Sequence, residues 1–484
     1  MSNHIENTGL AKLEERLREE LSLLELPAKS WVPERTFNGN NLLDVAIIGG
    51  GMAGLTVATA LKHLGVQATL FDRAPTGFEG PWATTARMET LRSPKQLTGP
   101  ALGIPSLTFR AWFEAQFGRQ EWDVLDKISR LQWMDYLRWY RKVMEVDVRN
   151  EHEVQKVQLH PEGHLTLTIK YQERVEEVYA RRLILATGRD GLGGPSVPDF
   201  SAEIPEHLWA HSADVFDYTT LQDKRVGVIG AGASAMDCAG TALEAGAQSV
   251  ELIVRRDDIP RINKGKGAGS PGLVHGYADL ADEWKWRIRH YINVQQVPPP
   301  KGSTLRVSQH PNAFFNLGAS VDHVSMEGKE IHVHTPKGVF KLDFLFFATG
   351  FKIDWAMRPE YASFSHLVRT WSERYQAPVD EADAELAACP DLGPNFEFQA
   401  KAGVDAPTLS NIYCFSYPAV ASHGTVSGDI PAISDGAIAI AQGIVSSLFK
   451  EDLEHHYAEL IAFSEPELDG DEWVPALPPQ SRGV

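Results

Sequence analysis

The chain has 484 residues, of which 43% are apolar and 23% charged, so it can fill two hydrophobic cores and has the composition of a globular protein. A formal net charge of −18 excludes a nucleic-acid partner, since such binding rests on neutralising phosphates with Lys and Arg. No run of about 18 apolar residues offers a bilayer span, and MSNHIENTGLAKLEERLREE has no basic start leading into an apolar stretch, so no membrane segment or secretory signal is expected and the cytoplasm is the expected location.

Residues 8–26 place Leu10, Leu13, Leu17, Leu21 and Leu24 at helical spacing, with Glu14, Arg16, Glu19 and Glu20 between them. This predicts an amphipathic helix docked on the protein's own surface; the alternative use of its apolar face is a homodimer contact. The next unit, Asp44 to Asp72, reads DVAIIGGGMAGLTVATALKHLGVQATLFD. An apolar strand runs into Gly49, Gly51 and Gly54 in the spacing GxGxxG, then into a helix beginning at Met52 and Ala53, then into a second strand ending in Asp72 and Arg73. Gly49 allows the sharp turn, Gly51 lets backbone N–H groups approach a pyrophosphate, and Gly54 lets the helix pack closely on the strand. The helix aims the positive end of its dipole at the phosphates, and the acid accepts hydrogen bonds from a ribose diol.

A long segment rich in Gly, Pro and Thr follows, GFEGPWATTARMETLRSPKQLTGPALGIP, in which Trp82, Arg87 and Arg92 are candidates to face a flavin ring or a cofactor phosphate. Each has the alternative reading of a loop or packing side chain. Residues 129–144 carry Leu131, Met134 and Leu137 on one stripe, the mark of a core helix, and residues 154–185 alternate as in a small antiparallel sheet. The buried strand from Leu183 to Leu185 ends in Ala186, Thr187 and Gly188, small residues that let a ligand approach the backbone.

From Arg225 the pattern repeats. RVGVIGAGASAMDCAGTALEAGAQSVELIVRR gives a strand, Gly230, Gly232 and Ala235 in GxGxxA, a helix opening at Ala233 and Ser234, and a strand ending in Arg255 and Arg256. Two guanidinium groups where the first unit has an acid suit a 2′-phosphate, through bidentate charge-assisted bonds. The second unit also closes as the first does, with Phe344 to Phe347 followed by Ala348, Thr349 and Gly350. The duplication predicts an α/β fold of two Rossmann-like dinucleotide-binding domains, FAD in the first and NADPH in the second, with the NADPH domain inserted in the FAD domain. The expected division is residues 1–40 for the N-terminal helix and linker, 41–215 for the first part of the FAD domain and 216–340 for the NADPH domain. Residues 341–450 return to the FAD domain and 451–484 form an acidic tail. The return supplies a strand from Ile412, the loop SHGTVSGDIP and a helix from Ile433 to Leu448, whose start near Asp429 is expected to face the flavin.

The two glycine loops, the two ATG-ended strands and this domain order resemble the single-chain (class B) flavin-dependent monooxygenases, the group of the flavin-containing, N-hydroxylating and Baeyer–Villiger enzymes. The resemblance covers about residues 40–450. METLRSP at Met88 to Pro94 and SRLQWMDYLRWY are similar to segments of the N-hydroxylating branch, as are Asn263 and the His423–Gly424 pair. WAHS, with His211, lies where these enzymes carry a fingerprint histidine, but Pro205, His207 and Val215 depart from that fingerprint. The resemblance implies that NADPH reduces FAD and that O2 then adds as a C4a-hydroperoxide. One oxygen atom passes to a nucleophilic N or S of a small organic substrate, with Arg92 and His423 as the candidate catalytic residues. The alternatives are Baeyer–Villiger oxidation and a quinone or disulfide reductase without oxygen insertion. Cys238, Cys389 and Cys414 are scattered without a CxxC, which fits neither a paired redox centre nor a metal site.

Overall fold

The computed structural model describes residues 8–479. Each glycine unit lies in the parallel part of its own sheet. In the first sheet Asn40–Ile48 sits between Ala68–Asp72 and Arg174–Leu185, with Val148–Asn150 outside Ala68–Asp72. Val45, Ala46 and Ile47 are fully buried, as a strand covered on both faces requires. Arg174–Leu185 bridges two kinds of pairing. Its first half is antiparallel to Leu165–Tyr171, while its second half is parallel to Asn40–Ile48 on one side and to Ile412–Cys414 on the other. The C-terminal segment therefore returns to the first sheet as expected, and the register Cys414↔Leu185 carries it to the strand end that leads into Gly188.

The second sheet runs in the order Ala313–Leu317, Ser249–Val254, Arg225–Ile229, Phe344–Phe347, Trp209–His211, all parallel. The outer members correct the expected boundaries. The division at 216 and 340 puts Trp209–His211 and Phe344–Phe347 in the first domain, yet both pair within the sheet of the inserted one. A strand of three residues is too short to show a two-residue period in sequence, so its pairing is decided by the sheet it joins. An antiparallel meander of His323–Glu327, Glu330–Thr335 and Gly338–Leu342 completes this domain.

The chain enters the inserted domain after Gly193–Pro195 and leaves it at Phe351–Ile353, and these two segments pair antiparallel. Their approach is close: a Cβ on Gly193 would lie 1.9 Å from the Lys352 carbonyl oxygen. The Ser196 N–H donates to the Gly350 carbonyl at 2.9 Å, and the Thr349 hydroxyl donates to the Ser196 carbonyl.

At the N-terminus the helix Thr8–Leu23 buries Leu13 and Leu17 against its own chain. Glu14 accepts from the Trp139 indole and from Lys142, both at 3.2 Å, and Arg16 donates to Ser106 at 2.8 Å. The apolar stripe is thus used internally, and only Leu23 and Leu24 at its end stay exposed for a homodimer contact. One segment, Ile430–Glu451, is long and apolar enough for a membrane span by length and composition alone. Ile433, Ala437, Ile440, Ile444 and Leu448 of this segment are buried and it packs on Met52–His63, as a core helix does. The expected acidic tail opens as a further helix, Leu453–Ala462.

Candidate active site

The two glycine loops repeat each other at the level of single atoms. Gly49 has φ +108°, and a Cβ there would lie 2.4 Å from the Ala186 carbonyl oxygen; Gly230 has φ +137°, and its Cβ would lie 2.6 Å from the Ala348 carbonyl oxygen. Each loop therefore packs its first glycine against the alanine of its own ATG segment. Gly54 is equally constrained, with a Cβ placed 2.0 Å from the Gly49 carbonyl oxygen. The middle glycines differ. A Cβ on Gly51 would meet nothing closer than 3.9 Å, and one on Gly232 nothing within 4 Å. Both face open space at the start of a helix, Met52–His63 or Ala233–Glu244, whose first turn has no side-chain cap. Uncapped N–H groups over an open glycine are the donor set a pyrophosphate needs, so the residues present fit a dinucleotide at each loop. Met52, Ala53, Ala233 and Ser234 lie in those first turns. Gly188 and Gly350, both at φ +83°, likewise have nothing within 4 Å of a Cβ, so both strand ends are open to a ligand.

Asp72 does more than the sequence indicated. Its two carboxylate oxygens accept from the Gly50 and Ala74 N–H groups, each at 2.7 Å, so the acid braces the glycine loop from the next strand. Burial raises its pKa above the ordinary carboxylate value, against the lowering effect of those two N–H groups. Arg73 beside it is exposed. The pocket over Gly50 and Gly51 is walled by residues that sequence reasoning missed: Glu79, Met134, Arg138 and Arg141. Glu79 is only 5% exposed and accepts from Arg141 at 2.7 Å and from Asn150 at 2.6 Å, which fixes the wall. A signal was available, since Met134, Leu137, Arg138 and Arg141 share one face of the helix Arg130–Val143.

In the second unit Arg255 is exposed and makes no hydrogen bond or ion pair among the described residues, while Arg256 donates to the Val294 carbonyl at 3.4 Å. A free guanidinium therefore directly follows the end of Ser249–Val254.

A third group of residues gathers at the junction of the two domains. Lys127 donates to the Arg92 carbonyl at 3.1 Å, holding the backbone of the Met88–Pro94 loop. The Arg92 side chain is open to solvent yet densely surrounded, facing Asp237 of the second glycine helix and Arg189 and Asp429 of the first domain. Asp237 is buried and accepts from Ser303 at 2.8 Å. The Arg189 guanidinium lies 4.1 Å from the centroid of the Tyr417 ring, and Tyr417 donates to Glu385 at 2.9 Å. Asp429 has its pKa raised by burial, against the lowering effect of Arg289, Arg189 and Arg92. Trp82 is half-buried, with its carbonyl accepting from Arg130 at 2.6 Å. His423 is placed differently from an acid–base group. It is 5% exposed, stacks on Phe396 at 3.8 Å between centroids and bonds the Gly393 carbonyl through Nε2 at 2.9 Å; burial pushes its pKa down to about 4.

Residues 43–266 match the pyridine nucleotide-disulphide oxidoreductase family. The FAD-dependent urate hydroxylase of Xanthomonas campestris is 37% identical over 464 residues, which cover 96% of this chain and 98% of that protein. The chain belongs to the single-chain flavin monooxygenases. Among solved structures, ornithine hydroxylase of Pseudomonas aeruginosa superposes on this monooxygenase with a TM-score of 0.67 at 14% identity, covering 84% of this chain and all (100%) of that one. The bacillithiol disulfide reductase of Staphylococcus aureus gives 0.54 at 18% identity, covering 84% and 98%. The fold is thus shared by oxygen-inserting and disulfide-reducing proteins, and the near full-length relative is what separates them. The monooxygenase is an oxidoreductase that uses FAD and NADPH.

Proposed function

We propose that this monooxygenase hydroxylates urate. The observation that carries the reading is the 37% identity to a urate hydroxylase along nearly the whole of both chains. Urate has no sulfur, so on this reading the oxygen goes to an electron-rich position of the purine ring. Bound FAD, reduced by NADPH, supplies the activation of O2.

The protein's own residues bind, orient and shield. The uncapped N–H groups above Gly51, together with Met52, Ala53 and Gly54, hold the FAD pyrophosphate, with Asp72 bracing the loop and offering its remaining lone pairs to the ribose. Arg73, Trp82, Gly188 and Asp429 would border the same cofactor. Gly232, Ala233 and Ser234, with Gly230 and Gly350 beside them, would hold the NADPH pyrophosphate, and Arg255 and Arg256 its 2′-phosphate. Arg92, between the two domains, orients cofactor phosphate or oxygen through its fixed fork of donors. His423 stays neutral and anchors the Phe396 segment, a positioning role in which it passes no proton.

A disulfide-reductase reading needs an accessible thiol. All three cysteines are buried, and burial pushes the thiols of Cys238 and Cys414 up to about 11. Free, reduced thiols agree with the cytoplasm as the working compartment. The test is to add urate to the FAD-loaded protein with NADPH and to follow oxygen uptake, NADPH oxidation and urate loss together. Equimolar consumption of all three is expected; NADPH oxidation that urate neither accelerates nor couples to its own loss would refute the reading.

A further inference from the structure

We infer that Arg87 and Arg306 form a strut that fixes the spacing of the two dinucleotide cradles, and so act as positioning residues for flavin reduction by NADPH. The inference needs only the two cofactors and is independent of the substrate. In that step the nicotinamide gives up a hydride and the flavin takes it, leaving NADP+ and reduced flavin with no other reactant.

The strut starts beside the first glycine loop. A Cβ on Gly51 would have the Gly80 Cα as its nearest atom, at 3.9 Å. The turn beyond Gly80 is closed by the Thr84 hydroxyl, which donates to the Gly80 carbonyl at 2.8 Å, and by the Ala86 N–H, which donates to the Pro81 carbonyl at 2.9 Å. At Arg87 the segment crosses to the inserted domain. The Arg87 guanidinium donates back to the Thr84 carbonyl at 2.8 Å and forward to the Asp214 carbonyl at 3.3 Å, and it lies 5.5 Å from the centroid of the Tyr218 ring. Asp214 and Tyr218 precede Arg225–Ile229 of the second sheet, and Tyr218 is part of that domain's core.

The Arg87 carbonyl in turn accepts from Arg306 at 3.0 Å. Arg306, on the helix Lys301–Ser308, has a side chain only 12% exposed; it pairs with Glu244 and donates to the Thr241 hydroxyl at 3.2 Å. A Cβ on Gly240 would lie 3.0 Å from the Arg306 Cδ. Gly240, Thr241 and Glu244 all belong to Ala233–Glu244, the helix that opens at the second glycine loop. One guanidinium fork thus joins the second glycine helix to a turn that begins at the first glycine loop, a span that the point charge of a lysine does not bridge.

The other attachments leave this spacing open. The ribbon of Gly193–Pro195 and Phe351–Ile353 joins the domains along one line, about which a two-stranded stem can twist. The helix Asp282–Gln295 docks on the first domain, but its Trp286 clusters with Trp371, Leu386, Cys389, Val420 and Ala421, none of them from the second sheet or from Ala233–Glu244. The strut holds the glycine helix itself, away from the ribbon. Hydride transfer needs its two reacting atoms about 3–3.5 Å apart, and a misplacement of about 1 Å can cost ~100-fold in rate.

The test pairs stopped-flow reduction of the FAD-loaded protein by NADPH, with no urate present, with a distance measurement on the oxidised protein. Nitroxide labels on Val175→Cys and Val339→Cys, one exposed position in each domain, report that distance by pulsed electron paramagnetic resonance; the native thiols are buried. In Arg306→Gln, and more so with Arg87→Ala added, the limiting reduction rate should fall about tenfold or more while the Kd for NADPH and the FAD content hold. The distance distribution should broaden in the same variants. A limiting rate within twofold of the unmodified protein in the double variant overturns the proposal, as does a loss that tracks weaker NADPH binding. Should the double variant not fold, Arg306→Lys decides, since it keeps the charge beside Glu244 and lacks the fork. A slower reduction at an unchanged melting temperature then supports the strut, and an unchanged rate overturns it. Failure of the urate reading leaves these outcomes untouched.

Discussion

Replacing Asp72 by asparagine separates two roles that a ribose contact alone would merge. The carboxylate accepts from the N–H groups of Gly50 and Ala74 at 2.7 Å each. Asparagine keeps one acceptor oxygen and turns its NH2 toward the other N–H, so one bond is lost and the second drops from charged to neutral. With ~1.5–3 kcal/mol for a charged hydrogen bond and ~0.5–1.5 for a neutral one, the gross loss is about 2.5–4.5 kcal/mol. Part of it is returned, because burial and the nearby Glu79 already disfavour a charged Asp72. A net cost of about 1–3 kcal/mol remains. It should appear in the flavin-stripped protein as a melting point lower by a few degrees, given about 2–4 °C per kcal/mol in smaller domains. The assay is thermal and urea unfolding of the stripped protein beside FAD titration. If stripped Asp72→Asn melts with the unmodified protein and only FAD affinity falls, the brace is not a stabilising element and the acid serves the ribose alone.

Other outcomes follow from the same geometry. Gly51→Ala should fold normally but bind FAD poorly, since its methyl enters the open cradle, whereas Gly54→Ala should fail to fold, its Cβ falling 2.0 Å from the Gly49 carbonyl oxygen; soluble yield and flavin content distinguish them. Arg255→Ala with Arg256→Ala should erase most of a preference for NADPH over NADH of at least about tenfold, read from flavin-reduction rates with each cofactor. His423, at about 4 in the fold against 6.5 ordinarily, refuses a proton that the unfolded chain accepts, so stability falls as pH drops from 6.5 toward 4. His63, also pushed down to about 4 by burial, adds to the same slope, and His423→Gln should flatten but not abolish it in urea midpoints measured across that window. Arg92→Ala should keep FAD while releasing more hydrogen peroxide per NADPH consumed, and unchanged peroxide yield would limit Arg92 to bracing its loop.

The parts of the site that could be read in sequence are those where backbone chemistry demands a residue type. Gly49, Gly54 and Gly230 are required by contacts that leave no room for a Cβ, and such demands appear as fixed spacings. Arg189 and Tyr417 obey no spacing: one follows a strand end, the other lies on a returning loop, and only the tertiary fold brings them together. The Glu79–Arg141–Asn150 wall is similar, joining a loop, a helix and a short strand. Domain boundaries were misplaced for a different reason: Trp209–His211 is a strand only because Phe344–Phe347 offers it an edge.

The ribbon of Gly193–Pro195 and Phe351–Ile353 gives the insertion an unusual economy of attachment. Both crossings run side by side in register, with Lys352 opposite Gly194. To the first domain, the whole inserted domain is topologically one long hairpin loop whose stem is already zipped. Closing a loop costs little more as it lengthens, and here the stem fixes its ends directly. Deleting residues 196–350 and joining the stem with a short turn should leave the first sheet able to fold by itself. The excised piece, whose end residues Ser196 and Gly350 are hydrogen-bonded to each other, is then a natural candidate for circular permutation.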